Sequence, residues 1–216
     1  MSDSNKHIWA FRSKFKYIPL EEKYADKNPI NQFNRWMQDA LDIRIGEPNA
    51  MTLATVDKKG FPDARIVLLR GVSTKGFTFF TNYRSTKGRE LLNKKACLNF
   101  FWQELSRQVR VVGTVSKLSA KESDRYFNSR PRVNQLSAWT SDQSEIVSSR
   151  DALEKKYLMM DKKFQNKKIP RPSYWGGYSV LPISIEFWQG KQNRLHDRII
   201  YLKQKTGKWK MERLSP

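Results

Sequence analysis

Apolar residues near the start of the chain recur at the spacing of one face of a helix. The recurring positions are Ile30, Phe33, Met37 and Leu41. This spacing predicts a helix packed on a core, with Trp36 near the border of its buried face. Asn28 and Pro29 have the residue types preferred at a helix N-cap and at the first helical position, so the helix is predicted to begin there.

After residue 48 the pattern changes to short apolar runs separated by turn residues, which is typical of strands joined by hairpins. Strands are predicted at 51–56, 64–72, 77–81, 96–102, 109–118, 185–188, 198–202 and 208–214. Three further helices are predicted, one capped by Ser85, one opened by a capping box at 119–122 and one that follows Ser149. Residues 174–178 are predicted to form a tight aromatic turn. These elements predict an α+β fold, an antiparallel β-barrel with peripheral helices.

The stretch around Trp188 combines an apolar strand with a cluster of cations. If 194–198 is extended, Arg194, His196 and Arg198 project from one face at a period of two residues. Such a cluster suits either an anionic ligand or a solvated edge strand that uses charge to resist aggregation. The nearby Trp188 favours a planar anionic ligand, and His196 is a residue that can exchange a proton near neutral pH.

The composition is that of a folded protein, because 38% of the residues are apolar and 12% are aromatic. A length of 216 residues is enough for one substantial domain. We predict a flexible N-terminal arm at 1–27, able to close as a basic and aromatic lid over an anionic ligand, and a single domain at 28–216. No apolar run approaches the roughly 20 residues of a membrane span, and the single cysteine, Cys97, excludes an internal disulfide. The expected location is the cytoplasm.

The formal net charge of +20 concerns the partners of the protein rather than its fold. Nucleic acid, acidic membrane surfaces and small phosphorylated ligands all suit this charge, but the basic residues are spread along the chain without a dedicated basic tail. The familiar nucleophile, P-loop and dinucleotide motifs are absent. With His7 and His196 the only histidines, the sequence also argues against a histidine metal site. An enzyme with this sequence would therefore use a bound cofactor.

Eight basic residues are candidates for binding an anion: Arg65, Arg70, Arg84, Lys87, Arg110, Arg130, Arg194 and Arg198. Arg65 and Arg70 are an odd number of residues apart, so on a regular strand only one of them would face a given ligand. Lys87 and the start of its helix could hold one phosphate. Tyr126 and Arg130, four residues apart on one helix, could hold another. The alternatives are a solvated basic face for Lys87 and a core position for Tyr126.

Motifs that follow one another along the chain carry a family resemblance. They are 65–70 (RIVLLR), Thr81-Asn82 with Ser85 and Lys87, 107–109 (RQV), Tyr126-Phe127, 129–132 (SRPR), Gln143-Ser144, 175–178 (WGGY), 185–190 (IEFWQG), 194–198 (RLHDR) and 213–216 (RLSP). With these motifs the sequence resembles the pyridoxamine 5′-phosphate oxidase family over nearly everything after Asn28. The ordered set is more specific than any single motif.

The resemblance implies a split β-barrel homodimer with FMN bound at the subunit interface. It assigns to FMN the residues Arg65, Ile66, Val67, Leu68, Leu69, Arg70, Phe80, Thr81, Lys87, Gln108, Gln143, Ser144, Trp188 and Arg198. It assigns to the phosphorylated pyridine substrate the residues Arg70, Tyr126 and Arg130, at the phosphate, and Arg194, Leu195 and His196, at the ring.

The implied reaction is the FMN-dependent oxidation of pyridoxamine 5′-phosphate and pyridoxine 5′-phosphate to pyridoxal 5′-phosphate. Oxygen is the electron acceptor and hydrogen peroxide is released, with ammonia as a further product from the amine. The residues expected to be catalytic are Arg194 and His196, which would orient the ring and assist proton movement. Arg198 would stabilise negative charge on the reduced flavin.

Four positions depart from the family pattern. Arg70 stands where lysine is usual, Thr86 where an arginine is frequent, Asn134 where a serine is usual and Phe15 where a tyrosine is usual. These departures bear on affinity and substrate preference rather than on the fold, and no role is assigned to the last three. Two other hypotheses remain, namely a split-barrel flavoprotein that acts on another substrate and a basic nucleic-acid-binding protein.

Overall fold

The structure, a computed structural model, describes residues 19–216. Predictions that concern residues 1–18, among them the departure at Phe15, lie outside the described residues. The chain divides into two compact units. The first unit contains 19–48, 101–109 and 185–216, and the second unit contains 49–100 and 110–184. The proposed arm at 1–27 and the single domain at 28–216 remain predictions.

Helices and antiparallel strands occupy most of the described chain. The helices are α1 (Pro29–Asp42), α2 (Thr86–Glu90), α3 (Ala120–Ser129), α4 (Arg132–Thr140) and α5 (Arg150–Lys163). The strands are β1 (Ala50–Val56), β2 (Pro62–Leu68), β3 (Gly71–Ser73), β4 (Gly76–Asn82), β5 (Lys95–Trp102), β6 (Arg107–Lys117), β7 (Trp175–Gln189), β8 (Asp197–Lys203) and β9 (Trp209–Arg213). The predicted α+β class is confirmed. No helix in residues 19–216 is long and apolar enough to cross a membrane.

The second unit contains β1 to β4 and most of β5, β6 and β7, whose order in the sheet is β2-β1-β5-β6-β7-β4-β3. The β1–β2 hairpin pairs Ala50 with Leu68 at its open end. Strand β4 pairs with β7 so that Asn82 lies opposite Trp175. The ends of β2 and β4 and the start of β7 therefore carry residues that line the cavity described below.

Three helices of the second unit surround a small apolar core. Its buried members are Phe127, Leu136, Ala138, Phe164, Ile169 and Trp175. The predicted capping box begins α3, because the Ser119 hydroxyl accepts from the Glu122 N–H and the Glu122 carboxylate accepts from the Ser119 N–H. The helix predicted after Ser149 is also confirmed, and the Ser149 hydroxyl caps it by accepting from the Ala152 N–H. Two of these helices, α3 and α4, carry residues that line the cavity described below.

The first unit is built on α1, which begins as predicted because the Asn28 side chain accepts from the Ile30 N–H. The buried face of α1 differs from the prediction. Trp36 is fully inside, with its ring edge-on to Phe187 at 5.2 Å, whereas Leu41 is 50% exposed. The buried face of α1 is therefore centred on the large indole of Trp36, and Leu41 lies outside it. In the same unit β8 pairs with β7 and β9.

Two predicted elements were wrong. The strand predicted at 64–72 is two strands, because the chain leaves β1 after Leu68 and joins β4 at Gly71, which lies opposite Thr78. The argument from regular spacing between Arg65 and Arg70 therefore does not apply. The turn predicted at 174–178 is the start of β7, which pairs with β4 along 175–180. The glycines of that motif allow close packing instead of a turn.

Candidate active site

A cavity of about 590 Å³ opens in the second unit beside the ends of β2 and β4. This volume lies within the range of about 300–1,000 Å³ that is common for ligand sites. Ten of the residues assigned by resemblance line it: Ile66, Val67, Leu68, Arg70, Phe80, Thr81, Lys87, Tyr126, Arg130 and Gln143. The structure therefore brings together most of the residues that were assigned to FMN and to the substrate phosphate in this unit.

Three cations line the cavity, Arg70, Lys87 and Arg130, and no carboxylate does among the described residues. Nη1 of Arg130 is buried and has no hydrogen-bond partner within residues 19–216. Burial lowers the pKa of Arg130, and the charge of Arg70 acts in the same direction. A buried donor of this kind is costly unless it is paired, and a phosphate would pair it with a charge-assisted hydrogen bond.

The position of Arg130 follows from the end of α3. The helix ends at Ser129, so Tyr126 and Arg130 are not on one helix as predicted, and Arg130 is extended with φ −75° and ψ 146°. The residue before a proline is disfavoured in the helical region, which explains the break ahead of Pro131. The Arg130 guanidinium lies 4.5 Å from the centroid of the Trp175 ring. This contact holds the guanidinium over an aromatic face while leaving N–H groups for a ligand.

An aromatic stack forms one wall of the cavity. The Phe80 ring lies 3.9 Å from Tyr126 and 5.6 Å from Trp175, with interplanar angles of 17° and 14°. Gly177 permits this packing, since a Cβ there would lie 2.8 Å from Phe80 Cε1. The guanidinium of Arg70 lies 5.9 Å from the Tyr126 ring. The wall thus places flat apolar surface next to two cations, which suits a planar ligand that carries negative charge.

Lys87 enters the cavity from α2. Oε1 of Gln143 accepts from Lys87 Nζ and from Thr81 Oγ1, each at 3.1 Å. Burial lowers the pKa of Lys87, and the charge of Arg65 lowers it further. The helix can lie close to the end of β4 because residue 88 is glycine, where a Cβ would lie 2.3 Å from the Tyr83 carbonyl oxygen. This close approach brings the ammonium group to the cavity.

Three residues assigned to FMN in the second unit lie outside the cavity lining. Nη2 of Arg65 donates to Glu90 at 3.0 Å and also pairs with Asp63, so its charge is neutralised within the fold. Leu69 is a buried core residue. Ser144 is exposed, with φ +73°. Side chains of these residues do not reach the cavity, although their backbone belongs to segments that line it.

The other assigned residues belong to the first unit, where Trp188 and His196 have ring centroids 4.7 Å apart. Nε of Arg198 donates to Glu186 at 2.8 Å. The premise that 194–198 is extended was wrong, because Arg194 lies in a 3-10 turn with φ +60° and β8 begins only at Asp197. Burial lowers the pKa of His196, and the charge of Arg194 lowers it further.

Gln108, Arg194 and Leu195 complete the assigned residues of the first unit. Gln108 is half-buried on β6, and Arg194 and Leu195 are exposed. Next to Gln108, the buried Arg107 donates through Nε to Gln189 at 2.9 Å and through Nη1 to Asp39 at 2.5 Å. These bonds fix the strand segment that carries Gln108.

The sequence prediction missed several residues of the cavity lining. They are Asn82, Ser129, Pro131, Asn134, Ser137, Ala138, Ser141 and Trp175. Some of these residues belong to matched motifs, but no site role was assigned to them. Four of them, at 134, 137, 138 and 141, recur at the spacing of one helix face. That run of small and polar residues was the signal that could have revealed a site-facing side of α4.

Comparison with known proteins gives a consistent result along the chain. A family model described as Pyridoxamine 5′-phosphate oxidase matches residues 37–160, and one described as Pyridoxine 5′-phosphate oxidase C-terminal dimerisation region matches residues 175–216. The pyridoxine/pyridoxamine 5′-phosphate oxidase of Cyanothece sp. is 50% identical over 206 residues, which cover 95% of this chain and 96% of that protein. The protein of the same name from Nostoc punctiforme is 49% identical over 213 residues, which cover 98% of this chain and 100% of that protein.

Solved structures agree with the sequence matches. PhzG from Burkholderia lata, solved in complex with tetrahydrophenazine-1-carboxylic acid, superposes with a TM-score of 0.88 at 28% identity, covering 94% of this chain and 100% of that chain. A pyridoxamine 5′-phosphate oxidase-related, FMN-binding protein from Nostoc punctiforme shares the fold, with a TM-score of 0.69 at 15% identity, covering 88% of this chain and 100% of that chain. The predicted split β-barrel is confirmed, and the chain belongs to the pyridoxamine 5′-phosphate oxidase family.

Proposed function

We propose that this protein oxidises pyridoxamine 5′-phosphate and pyridoxine 5′-phosphate to pyridoxal 5′-phosphate with FMN as cofactor and oxygen as acceptor. Relatives that are 49–50% identical over nearly the whole chain carry the name of this activity. The structural observation that best supports it is the buried, unpartnered Nη1 of Arg130 in a cavity without carboxylates among the described residues. A small phosphorylated ring would supply the missing acceptor.

The residues of the cavity fit FMN. The half-buried Lys87 has an ammonium group whose hydrogen-bond partner is the neutral Gln143 amide, so its charge is available to a phosphate. FMN, when bound, supplies the electron acceptor for oxidation of the 4′ carbon of the substrate. Lys87, Thr81 and Gln143 would hold it together with the other residues assigned to it above. Ile66 and its neighbours at the end of β2 would exclude water from its ring.

The substrate residues have separate tasks in this proposal. Arg70, Tyr126 and Arg130 bind the phosphate, with the two guanidinium groups providing charge and the phenol a hydrogen bond. Arg194 and His196 orient the pyridine ring. Arg198 stabilises developing negative charge near the flavin, and its pairing with Glu186 fixes the direction of its guanidinium.

We also propose that the active form is a homodimer with FMN at the subunit interface. Residues 175–216 match a region described as a dimerisation region. Ile66 lines the cavity and is 64% exposed, which is an unusual environment for a large apolar side chain beside a binding site and fits coverage by a second copy. Analytical ultracentrifugation tests this state, and a monomer that binds FMN fully would contradict it.

The decisive experiment is an absorption spectrum of the purified protein before and after pyridoxamine 5′-phosphate is added without oxygen. A flavin spectrum that bleaches with the substrate and returns in air is the expected result. Pyridoxamine without the phosphate is the control substrate and should bleach the flavin far more slowly, because Arg130 then lacks its partner. Flavin that stays oxidised with both substrates would keep the family fold but reject this substrate class.

A further inference from the structure

The turn between β7 and β8 contains two consecutive residues in the left-handed region. Asn193 has φ +63° and Arg194 has φ +60°. Asparagine adopts this conformation readily, whereas arginine does so rarely. Such a conformation persists only where the surroundings enforce it. Because the side chain of Arg194 is exposed, the constraint on its backbone must come from elsewhere in the turn.

A hydrogen bond accepted by His196 supplies this constraint. The backbone N–H of Lys191 donates to Nδ1 of His196 at 3.0 Å. This bond ties residue 191 to residue 196, and it thereby fixes the distance between the two ends of the segment that contains Asn193 and Arg194. The Trp188 ring packs beside the imidazole, with the centroids 4.7 Å apart and a tilt of 43°. The imidazole therefore packs against Trp188 of β7 and is also hydrogen-bonded to Lys191 at the start of the turn.

The same bond fixes the proton on the imidazole. A backbone N–H can only donate, so Nδ1 must present its lone pair, and the neutral ring then carries its proton on Nε2. Protonation at Nδ1 would remove the acceptor and break the bond to Lys191. Burial and the charge of Arg194, which both lower the pKa of His196, favour the neutral ring.

We propose that His196 is the positioning residue for Arg194, holding its turn through Nδ1. The substrate contact that the proposed function gives to His196 then falls to Nε2–H as a donor. The identity of the substrate, a phosphorylated pyridine with a hydrogen-bond acceptor on its ring, rests on the proposed function. The clamp and the tautomer do not. In this assignment His196 does not take up a proton from the substrate, because its lone pair is already used.

Nitrogen NMR with labelled histidine tests the tautomer without any need for turnover. The chain has only two histidines, so His7→Asn leaves the signals of His196 alone. At pH 7.5 we expect Nδ1 in the range of an unprotonated ring nitrogen and Nε2 in the range of a protonated one. A neutral ring with its proton on Nδ1, or a charged ring at this pH, would overturn the assignment.

Two variants of His196 separate the clamp from the donor. The side-chain oxygen of His196→Asn can replace Nδ1, which keeps the clamp and removes the donor. The amide of His196→Gln can reach the position of Nε2, which keeps the donor and removes the clamp. Flavin content and circular dichroism establish that both variants are folded.

With pyridoxamine 5′-phosphate, His196→Asn should lower kcat/KM by about tenfold, which is the effect of one lost hydrogen bond of ordinary to charged strength. His196→Gln should raise KM, because Arg194 loses its position. Trypsin cleavage after Arg194, followed by mass spectrometry, should be faster in His196→Gln than in His196→Asn or the parent protein. Equal cleavage in all three proteins would overturn the clamp, and an unchanged kcat/KM in His196→Asn would overturn the donor. If the parent protein does not turn over, the proposed function fails while the NMR and cleavage results still decide the clamp.

Discussion

Arg107 and Arg130 are both arginines with buried donor atoms, but the fold treats their charges in opposite ways. Arg107, in the first unit, donates to the Asp39 carboxylate and to Gln189, and its guanidinium lies 4.4 Å from the centroid of the Trp36 ring. Arg130, in the second unit, lines a cavity without carboxylates among the described residues and has a buried Nη1 without a partner. The hydrogen-bond donors of Arg107 have acceptors within the protein, whereas Nη1 of Arg130 lacks an acceptor, which a ligand could provide.

This difference separates a structural role from a binding role. The buried guanidinium of Arg107 offsets its desolvation through its bonds to the half-exposed Asp39 carboxylate and to Gln189, so removing it is destabilising. A buried donor without a partner carries its cost in the free protein and recovers it when an anion binds. The two arginines should therefore respond to the same substitution with opposite changes in stability.

The largest expected effect is on activity. Arg130→Met removes the charge and keeps an apolar side chain of similar length, so kcat/KM for pyridoxamine 5′-phosphate should fall by about 100-fold, as expected for hydrogen bonds to a charged group. The free energy of unfolding of the ligand-free protein should rise by about 1 kcal/mol, because a buried unpaired donor is gone. Steady-state kinetics and urea unfolding measure the two quantities. A loss of both activity and stability would break the comparison.

The matched substitution in the first unit should act on stability. Arg107→Met takes its donors from the half-exposed Asp39 carboxylate and from the buried Oε1 of Gln189, so the free energy of unfolding should fall by about 1–2 kcal/mol. Urea unfolding at pH 7 measures this change. The additional substitution Asp39→Asn should recover part of the loss, because it removes the charge that was left unpaired. A fall in activity without a loss of stability would instead place Arg107 among the binding residues.

A smaller effect is expected at Lys87 and should depend on pH. Lys87→Gln should weaken FMN binding by about tenfold through the loss of a charged hydrogen bond. Because burial and Arg65 lower the pKa of Lys87 from 10.5, the parent protein should lose FMN affinity as the pH rises towards that value. Lys87→Gln should lose no affinity over the same range from this cause, and Lys87→Arg should retain its charge throughout. Flavin fluorescence titrations from pH 7 to 10 test the pattern, and parallel curves for all three proteins would contradict it.

The smallest effect concerns the ion pair between Glu22 and Arg213. Its arginine is paired within the fold, as Arg107 is, but both side chains of the pair are partly exposed to solvent. Hydrogen bonding to Arg213 lowers the pKa of Glu22 to about 2, from 4.5. The pair therefore contributes stability above pH 4.5, and this contribution is lost as the pH falls from 4.5 towards about 2. Because both side chains are partly exposed, Glu22→Gln should cost only about 0.5 kcal/mol at pH 7. Unfolding at pH 7 and pH 2.5 should show the difference shrink, with Glu21→Gln as the neighbouring control.

The fold was largely predictable because its local signals agree with one another. The cap at Asn28 and the capping box at Ser119 depend on side chains within three residues of the helix start, so the sequence alone is enough to recognise them. The break between β2 and β3 was not visible, since it arises when the chain changes from one neighbouring strand to another. The turn predicted at 174–178 failed for a related reason, because a glycine pair can serve close packing as well as a bend.

Site residues were predictable where the residue type indicates the chemistry. They were less predictable where the three-dimensional arrangement decides whether a side chain reaches the cavity. Arg130 and Lys87 were named from charge and motif, and both line the cavity. Arg65 was named in the same way, yet its charge is taken by Asp63 and Glu90. Asp63 is only two residues from Arg65, but Glu90 is 25 residues away, and that pairing depends on the fold. Ser137 and Ser141 have no distinctive chemistry, and only the helical path of α4 brings them to the cavity.

Gly88 has a consequence for how the protein can change over generations. A methyl group at this position would lie within 2.3 Å of the Tyr83 carbonyl oxygen, which is backbone and cannot swing aside. Any larger residue must therefore push α2 away from β4 and take the ammonium of Lys87 with it. In a randomised library selected for vitamin synthesis, we expect residue 88 to return as glycine almost as strictly as the residues that contact ligands. Evolutionary constraint at residue 88 would then reflect the short distance between two backbone segments, because glycine itself takes no part in the chemistry.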